Sequence, residues 1–376
     1  MSTKLKMAID LLWVKHNKVG GVESYIRNLL DGLKKSSHEF SIYLLVSLDN
    51  ADSFAMYGKD PRFKLIKCNV NSNEVPRRII WQNVHLGNLL KTLNIDTCFE
   101  PHNYIPTFGV KNIKFITTIH DLQLAHYPEN FSKKKIIWFK YNWANTLKHS
   151  KLIIVISEFV KNDLEKIYPG FENKIQAIYN PIIINKNDCD SINDISNKYG
   201  VKGDDYYFTV ASLLPHKNLK TLINVFRKIN DEHLRLPDKL IISGVGGNMK
   251  DDLLKMLKEY NLNEKVIMTG FIPNSTRNAL YKYCHSFLFP SVFEGFGMPA
   301  VEALMMGAKV ITTKESCMLE ITQNKCCYVN DPYSTDEWIY QMEDNRAMES
   351  GFDFQRYSLD TITENYYSAF LKAQNS

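Results

Sequence analysis

Short runs of apolar, β-branched residues alternate along the chain with longer stretches whose apolar positions recur every three or four residues. KMAIDLLWV (6–14), FSIYLLVSL (40–48), IKFITTI (113–119) and KLIIVIS (151–157) read as strands buried on both faces. The second half repeats the theme in YYFTVAS (206–212), KLIISGV (239–245), KVIMTG (265–270), SFLFPS (286–291) and AKVITT (308–313). Residues 23–35, 217–230, 249–260 and 299–306 carry helical spacing between them. This alternation predicts an α/β chain of the doubly wound class, with parallel sheets covered by helices on both faces.

The alternation breaks once. Residues 181–204 are polar, rich in Asn and Asp and without helical periodicity, and a fresh apolar strand follows them. A chain of 376 residues has room for two cores. The expected organisation is therefore a first domain over 1–185 and a second Rossmann-like domain over 204–355, joined by a linker. Residues 356–376 carry Tyr357, Ile362, Tyr366 and Phe370 at helical spacing, which predicts a terminal amphipathic helix.

Composition narrows the function classes. The 46 Lys and Arg exceed the 41 Asp and Glu by five, a mild basic bias. It suits an acidic substrate or an anionic membrane surface, and is too small and dispersed to argue for nucleic acid. A hydrophobic share of 44% and a charged share of 23% exclude wholesale disorder. No apolar run approaches the roughly 20 residues of a membrane-spanning helix. In the opening MSTKLKMAIDLLWV, Asp10 interrupts the apolar run and no small-residue cleavage site follows. A first strand is expected there rather than a signal peptide, and a cytoplasmic location with it. Cys68, Cys98, Cys189, Cys284, Cys317, Cys326 and Cys327 form no Cys-x-x-Cys pair, and neighbours on one strand point to opposite faces. They read as reduced, mostly buried thiols, with no zinc site among them.

The strongest chemical signal is Glu294-Gly295-Phe296-Gly297-Met298-Pro299-Ala300-Val301-Glu302. It begins just after the strand SFLFPS, and Pro299 opens a helix. Two carboxylates eight residues apart thus flank a strand-to-helix turn, with Glu302 expected in the first helical turn. Gly295 and Gly297 clear side chains from that turn, so backbone N–H groups can approach an anion or a sugar edge. Taken singly, Glu302 could serve only its helix dipole and the glycines only a tight turn.

The stretch PSVFEGFGMPAVEALMMGAKVI closely resembles the signature of retaining glycosyltransferases of family 4, and the similarity extends over nearly the whole chain. That resemblance implies the GT-B fold, two facing Rossmann-like domains with the last helix crossing back onto the first. It implies an acceptor-binding first domain and a nucleotide-sugar-binding second one. Glu294 would contact the transferred sugar, Phe296 and Gly297 would offer it backbone groups, and Glu302 would accept hydrogen bonds from the ribose hydroxyls.

Other constellations take their meaning partly from this resemblance. Ala211-Ser212-Leu213-Leu214-Pro215-His216-Lys217-Asn218 follows the first strand of the second half. A lysine opening a helix can neutralise a phosphate leaving group, and in register with the family Lys217 is the expected diphosphate lysine. Ser212 stands where the family often has an arginine, and Arg277 is the candidate from outside the motif to balance the second phosphate charge. Ile119-His120-Asp121 ends a strand. A histidine there can be a structural hydrogen-bonder, whereas the resemblance makes His120 a residue facing the donor sugar. Asp121 beside it orients the loop or meets the acceptor, and His102, next to Glu100 and Pro101, is a further acceptor-side candidate. Gly20 and Gly21 precede a helix without the dinucleotide fingerprint. They form a plain turn or, by resemblance, lie beside the donor phosphates or the acceptor. Lys133-Lys134-Lys135 precedes Trp138, Phe139, Tyr141 and Trp143, a basic–aromatic stretch suited to an anionic bilayer or to ordinary core packing.

The resulting expectation is a cytoplasmic, retaining hexosyltransferase of bacterial polysaccharide (O-antigen) synthesis. It would take GDP-mannose first, dTDP-rhamnose or a UDP-sugar next, and pass the sugar to a saccharide acceptor, lipid-linked in bacterial assembly. No metal or other cofactor is expected, since no Asp-x-Asp stands near a strand end. A sugar-nucleotide epimerase and a non-catalytic carbohydrate-binding protein are the rival readings.

Overall fold

The computed structural model describes residues 4–15, 20–244, 247–344 and 351–376. The chain forms two compact units, Met1–Ile183 together with Gln355–Ser376, and Ile184–Phe354. Val245, the last residue of the expected strand 239–245, lies outside the described residues.

In the first unit the strands are β1 (Leu5–Asp10), β2 (Phe40–Val46), β3 (Phe63–Lys67), β4 (Thr97–Glu100), β5 (Lys114–Ile119), β6 (Ser150–Val155) and β7 (Ile175–Ala177). They form one parallel sheet in the order β3-β2-β1-β4-β5-β6-β7. The apolar run 6–14 does not stay extended. The Asp10 carboxylate accepts the Leu12 N–H at 2.8 Å and turns the chain at the end of β1.

The helix Leu359–Asn375 belongs to this first unit. It packs on the helix Gly21–Lys35 and on β1 and β5, with Ile362, Tyr366 and Phe370 buried in the core. It opens at Ser358, whose hydroxyl caps Thr361, so Arg356 and Tyr357 precede it in a short 3-10 turn.

The second unit contains β8 (Tyr206–Val210), β9 (Lys239–Ser243), β10 (Val266–Gly270), β11 (Ser286–Phe289), β12 (Val310–Thr313) and β13 (Cys327–Val329). These too are parallel, in the order β10-β9-β8-β11-β12-β13. The expected linker holds a helix, Ile192–Tyr199, and residues 184–203 belong to the second unit. This helix has a capping box between Ser191 and Asp194 and a left-handed Gly200 at its end. Its cues are caps, because only Ile195 is buried and eight residues are too few to display a periodic face.

None of the seven cysteines is in a disulfide among the described residues; Cys68, Cys98 and Cys317 are buried and the other four half-buried. No helix among the described residues is long and apolar enough to cross a membrane.

Candidate active site

In open parallel sheets, ligands bind beyond the carboxyl ends of the strands where the strand order reverses. In the second unit that reversal falls between β8 and β11. The loop after β8 carries Ser212, His216 and Lys217, and the loop after β11 carries Glu294. The two loops are tied by a hydrogen bond from the Val292 N–H to the His216 carbonyl, at 2.9 Å. Across this seam the Lys217 ammonium donates to Glu294 Oε1 at 2.5 Å. Their side chains are only 17% and 12% exposed, so water screens the pair weakly.

Local geometry fixes both partners. Asn218 takes the left-handed conformation after the turn Pro215–Lys217, and its amide donates to the Pro332 carbonyl at 2.8 Å. The Glu294 N–H donates to Ser316 Oγ at 3.0 Å. Gly297 has φ +80, a conformation that favours glycine, and a Cβ there would stand 2.9 Å from Met318 Sδ, which would have to shift. Phe296 beside it is buried. Ser212 is half-buried, its carbonyl accepting from the Leu214 N–H.

Glu302 lies in the second turn of the helix Met298–Met305 and not in the first, so helix-dipole stabilisation does not account for it. Instead Oε2 accepts from the Tyr281 hydroxyl at 3.0 Å, and Oε1 lies 3.6 Å from an Arg277 guanidinium nitrogen. Arg277, expected to balance a phosphate, is therefore paired with Glu302. Burial and the adjacent Glu302 charge push the Tyr281 phenol well above its ordinary range, so it stays a donor. Gly244, where the chain leaves β9, packs so closely that a Cβ would sit 1.8 Å from the Ala211 carbonyl oxygen. Sequence reasoning passed over Tyr281, Ser316 and this glycine; the only signal for Gly244 was its place at a strand end.

In the first unit the strand order reverses between β1 and β4. Asp10 ends β1 and Glu100 ends β4, both fully buried. Asp10 Oδ2 accepts from Gln82 at 2.7 Å, and burial raises both carboxyls above their usual range, Glu100 the further. Buried Arg78 approaches from the helix Val75–Thr92 and donates to the Ser72 carbonyl at 3.1 Å. Neither the carboxyl pair nor Arg78 was singled out from sequence, because their neighbours come from distant positions in the chain.

His102 follows Glu100, its ring 4.9 Å from that of Trp13, and burial with the nearby His120 lowers its pKa to about 3. His120 is buried at the end of β5, where burial lowers its pKa to about 4. Its Nε2 lies 2.9 Å from the Pro101 carbonyl, which can only accept. The proton therefore sits on Nε2, and Nδ1 keeps a lone pair. The Tyr25 ring meets this imidazole edge-on at 5.1 Å, and Tyr25 donates to Tyr366 at 2.8 Å. Asp121 accepts the Gln123 N–H at 3.0 Å, holding its own turn. Gly20, with φ +63, precedes the helix that Gly21 opens; both are exposed.

The stretch 133–143 divides between two environments. Trp143 is buried, Trp138 packs against Tyr104, and Lys133, Lys134, Lys135, Ile137 and Tyr141 face outward. Among the described residues, no group of three or more His, Cys, Asp or Glu side chains could hold a metal ion.

Two parallel-sheet Rossmann-like units, of seven and six strands, are those of the GT-B architecture. The family profile described as Glycosyltransferase Family 4 matches residues 19–186, and that described as Glycosyl transferases group 1 matches residues 191–345. The chain belongs to the family 4 glycosyltransferases of GT-B type.

Among curated relatives, the O-antigen chain mannosyltransferase RfbU of Salmonella typhimurium is 27% identical over 66% of the chain. The match spans 65% of that relative, less than two thirds of its length. A Campylobacter jejuni enzyme is 28% identical over 78% of the chain and 77% of its own length. Its name describes transfer of N-acetylgalactosamine to a sugar on diphospho-undecaprenol. The crystal structure of Anabaena HepE with UDP and glucose superposes with a TM-score of 0.73 at 16% identity, covering 97% of this chain and 99% of that one.

Proposed function

We propose that the protein transfers a hexose from a nucleotide-sugar to a saccharide acceptor in bacterial polysaccharide synthesis, with retention of anomeric configuration. The observation that carries this is the Lys217–Glu294 pair at the β8/β11 switch point of a chain in this family. The acceptor oxygen bonds to the anomeric carbon on the face from which the diphosphate departs, and the departing phosphate oxygen takes the acceptor's proton. Lys217 stabilises the charge on that leaving group, and Glu294 holds the sugar. Neutral His120 offers Nδ1 as an acceptor to a sugar hydroxyl. Glu302, steadied by Tyr281 and Arg277, accepts from the ribose.

The RfbU relationship supports mannose, and a ribose with two hydroxyls suits Glu302 better than a deoxyribose, so GDP-mannose is the preferred donor and dTDP-rhamnose the weaker one. HepE holds UDP in its structure, which keeps a UDP-sugar as the second reading. The name of the Campylobacter enzyme supports a lipid-linked acceptor, and peripheral association with an anionic membrane follows from it.

Outward residues on the first unit support that association. Exposed Ile80 and Val84 lie on the helix Val75–Thr92, and Ile137 and Tyr141 on the helix Lys133–His149. The loop bearing exposed Phe108 is bound to both helices, through Asn83 and through Thr146. Thermal stabilisation by equal concentrations of GDP, UDP and dTDP, followed by transfer assays with the matching sugars, tests the donor. The largest shift with GDP supports the mannose reading, and the largest with dTDP refutes the ribose argument.

A further inference from the structure

Ser316 stands outside every motif read from the sequence, in the loop between β12 and the helix Met318–Ile321. Its φ is +52, the left-handed region that a residue with a Cβ enters at a cost. In that conformation its hydroxyl oxygen accepts the Glu294 N–H at 3.0 Å. Two residues on, Met318 abuts the space a Cβ at Gly297 would need. The loop and the helix start that follows it thus meet both ends of the turn that presents Glu294, and Lys217 holds the carboxylate itself.

We propose that Ser316 is a positioning residue, whose strained backbone places its hydroxyl to fix the Glu294 main chain in the orientation that sugar transfer requires. The inference rests on the reading of Glu294 as the sugar-contacting carboxylate. A serine kept only for loop packing would be improved by glycine, which adopts this φ freely and has no hydroxyl. Ser316→Gly and Ser316→Ala thus separate strain from hydrogen bonding.

The expected result is that both variants lose turnover roughly tenfold, the equivalent of about 1.4 kcal/mol. Both should keep the wild-type affinity for the free nucleoside diphosphate, and Ser316→Gly should melt above Ser316→Ala. Wild-type turnover in Ser316→Gly would overturn the proposal, as would parallel loss of nucleotide affinity in both variants. Glu294→Ala, assayed alongside, keeps the two readings apart. If it retains turnover, the role of Glu294 fails; if it is inactive while Ser316→Gly is fully active, only the positioning role fails.

Discussion

Lys217 and Glu294, 77 residues apart in the chain, meet at 2.5 Å where the loops after two adjacent central strands face each other. Neither charge is well hydrated, so each is the other's principal compensation. Removing either leaves a poorly solvated ion, at a cost of about 3 kcal/mol or more. Lys217→Ala is expected to lower Tm and to weaken diphosphate-bearing ligands far more than the free nucleoside. Glu294→Ala should abolish most turnover while nucleotide affinity stays near wild type. The double variant should be more stable than the sum of the single losses. Calorimetry and nucleotide titration on the three variants check this, and additive losses would dissolve the coupling.

The Glu302 carboxylate is held by a phenol that remains protonated throughout the working range. Tyr281→Phe leaves the carboxylate one donor short and free to turn. It should weaken a ribonucleoside diphosphate several-fold while changing the affinity of the matching deoxyribonucleotide little. Equal weakening of both would detach Glu302 from the ribose.

His120 donates through Nε2 and keeps a lone pair on Nδ1, and asparagine and glutamine each mimic one of those nitrogens. Asparagine places its amide near Nδ1, so His120→Asn should keep part of the turnover. Glutamine reaches toward the Pro101 carbonyl, so His120→Gln should keep stability and lose turnover. The reverse order of activities in steady-state assays would show the catalytic contact to be on Nε2.

Acid should weaken the second unit through His216, whose pKa burial and Lys217 lower to about 4. Its folded value lies below the unfolded one, so its contribution is complete above pH 6.5 and is lost as pH falls toward 4. Between pH 6.5 and 5 the loss is about 2 kcal/mol. In the first unit Glu100 works in the opposite sense, since its raised pKa adds stability as pH falls, partly offsetting His102 and His120. His216→Gln should therefore flatten the acid decline measured by hydrogen exchange in the second unit and leave that of the first unchanged.

Membrane association should depend on Lys133, Lys134 and Lys135 and on salt. Cosedimentation with vesicles containing phosphatidylglycerol is expected to fall on neutralising the three lysines, and separately on Phe108→Ser. Binding unaffected by either change would remove this face from the bilayer.

The central strands were readable because burial on both faces imposes continuous apolar runs. Edge strands β3, β7 and β13 were not, since FKLIK, IQA and CYV are short and half-buried. The short β4, TCFE, lies at the centre and reads only as a strand-like stretch before His102, since four residues with a polar residue at each end hold too short an apolar run to mark a buried strand. Glu294, Glu302 and Lys217 could be named because each sits in a compact local pattern. What surrounds them could not: Tyr281 and Ser316 acquire their meaning from contacts across 21 and 22 residues. Arg78 is the clearest case, a buried cation beside exposed Arg77, and nothing in the local sequence tells the two apart.

The helix Leu359–Asn375 completes the core of the first unit although the whole second unit precedes it in the chain. During synthesis, Tyr366 and Phe370 leave the ribosome only after that second unit has been made. Until then the nascent first unit lacks the side chains that cover part of its apolar interior. The core of the segment translated first is thus completed only by the segment translated last.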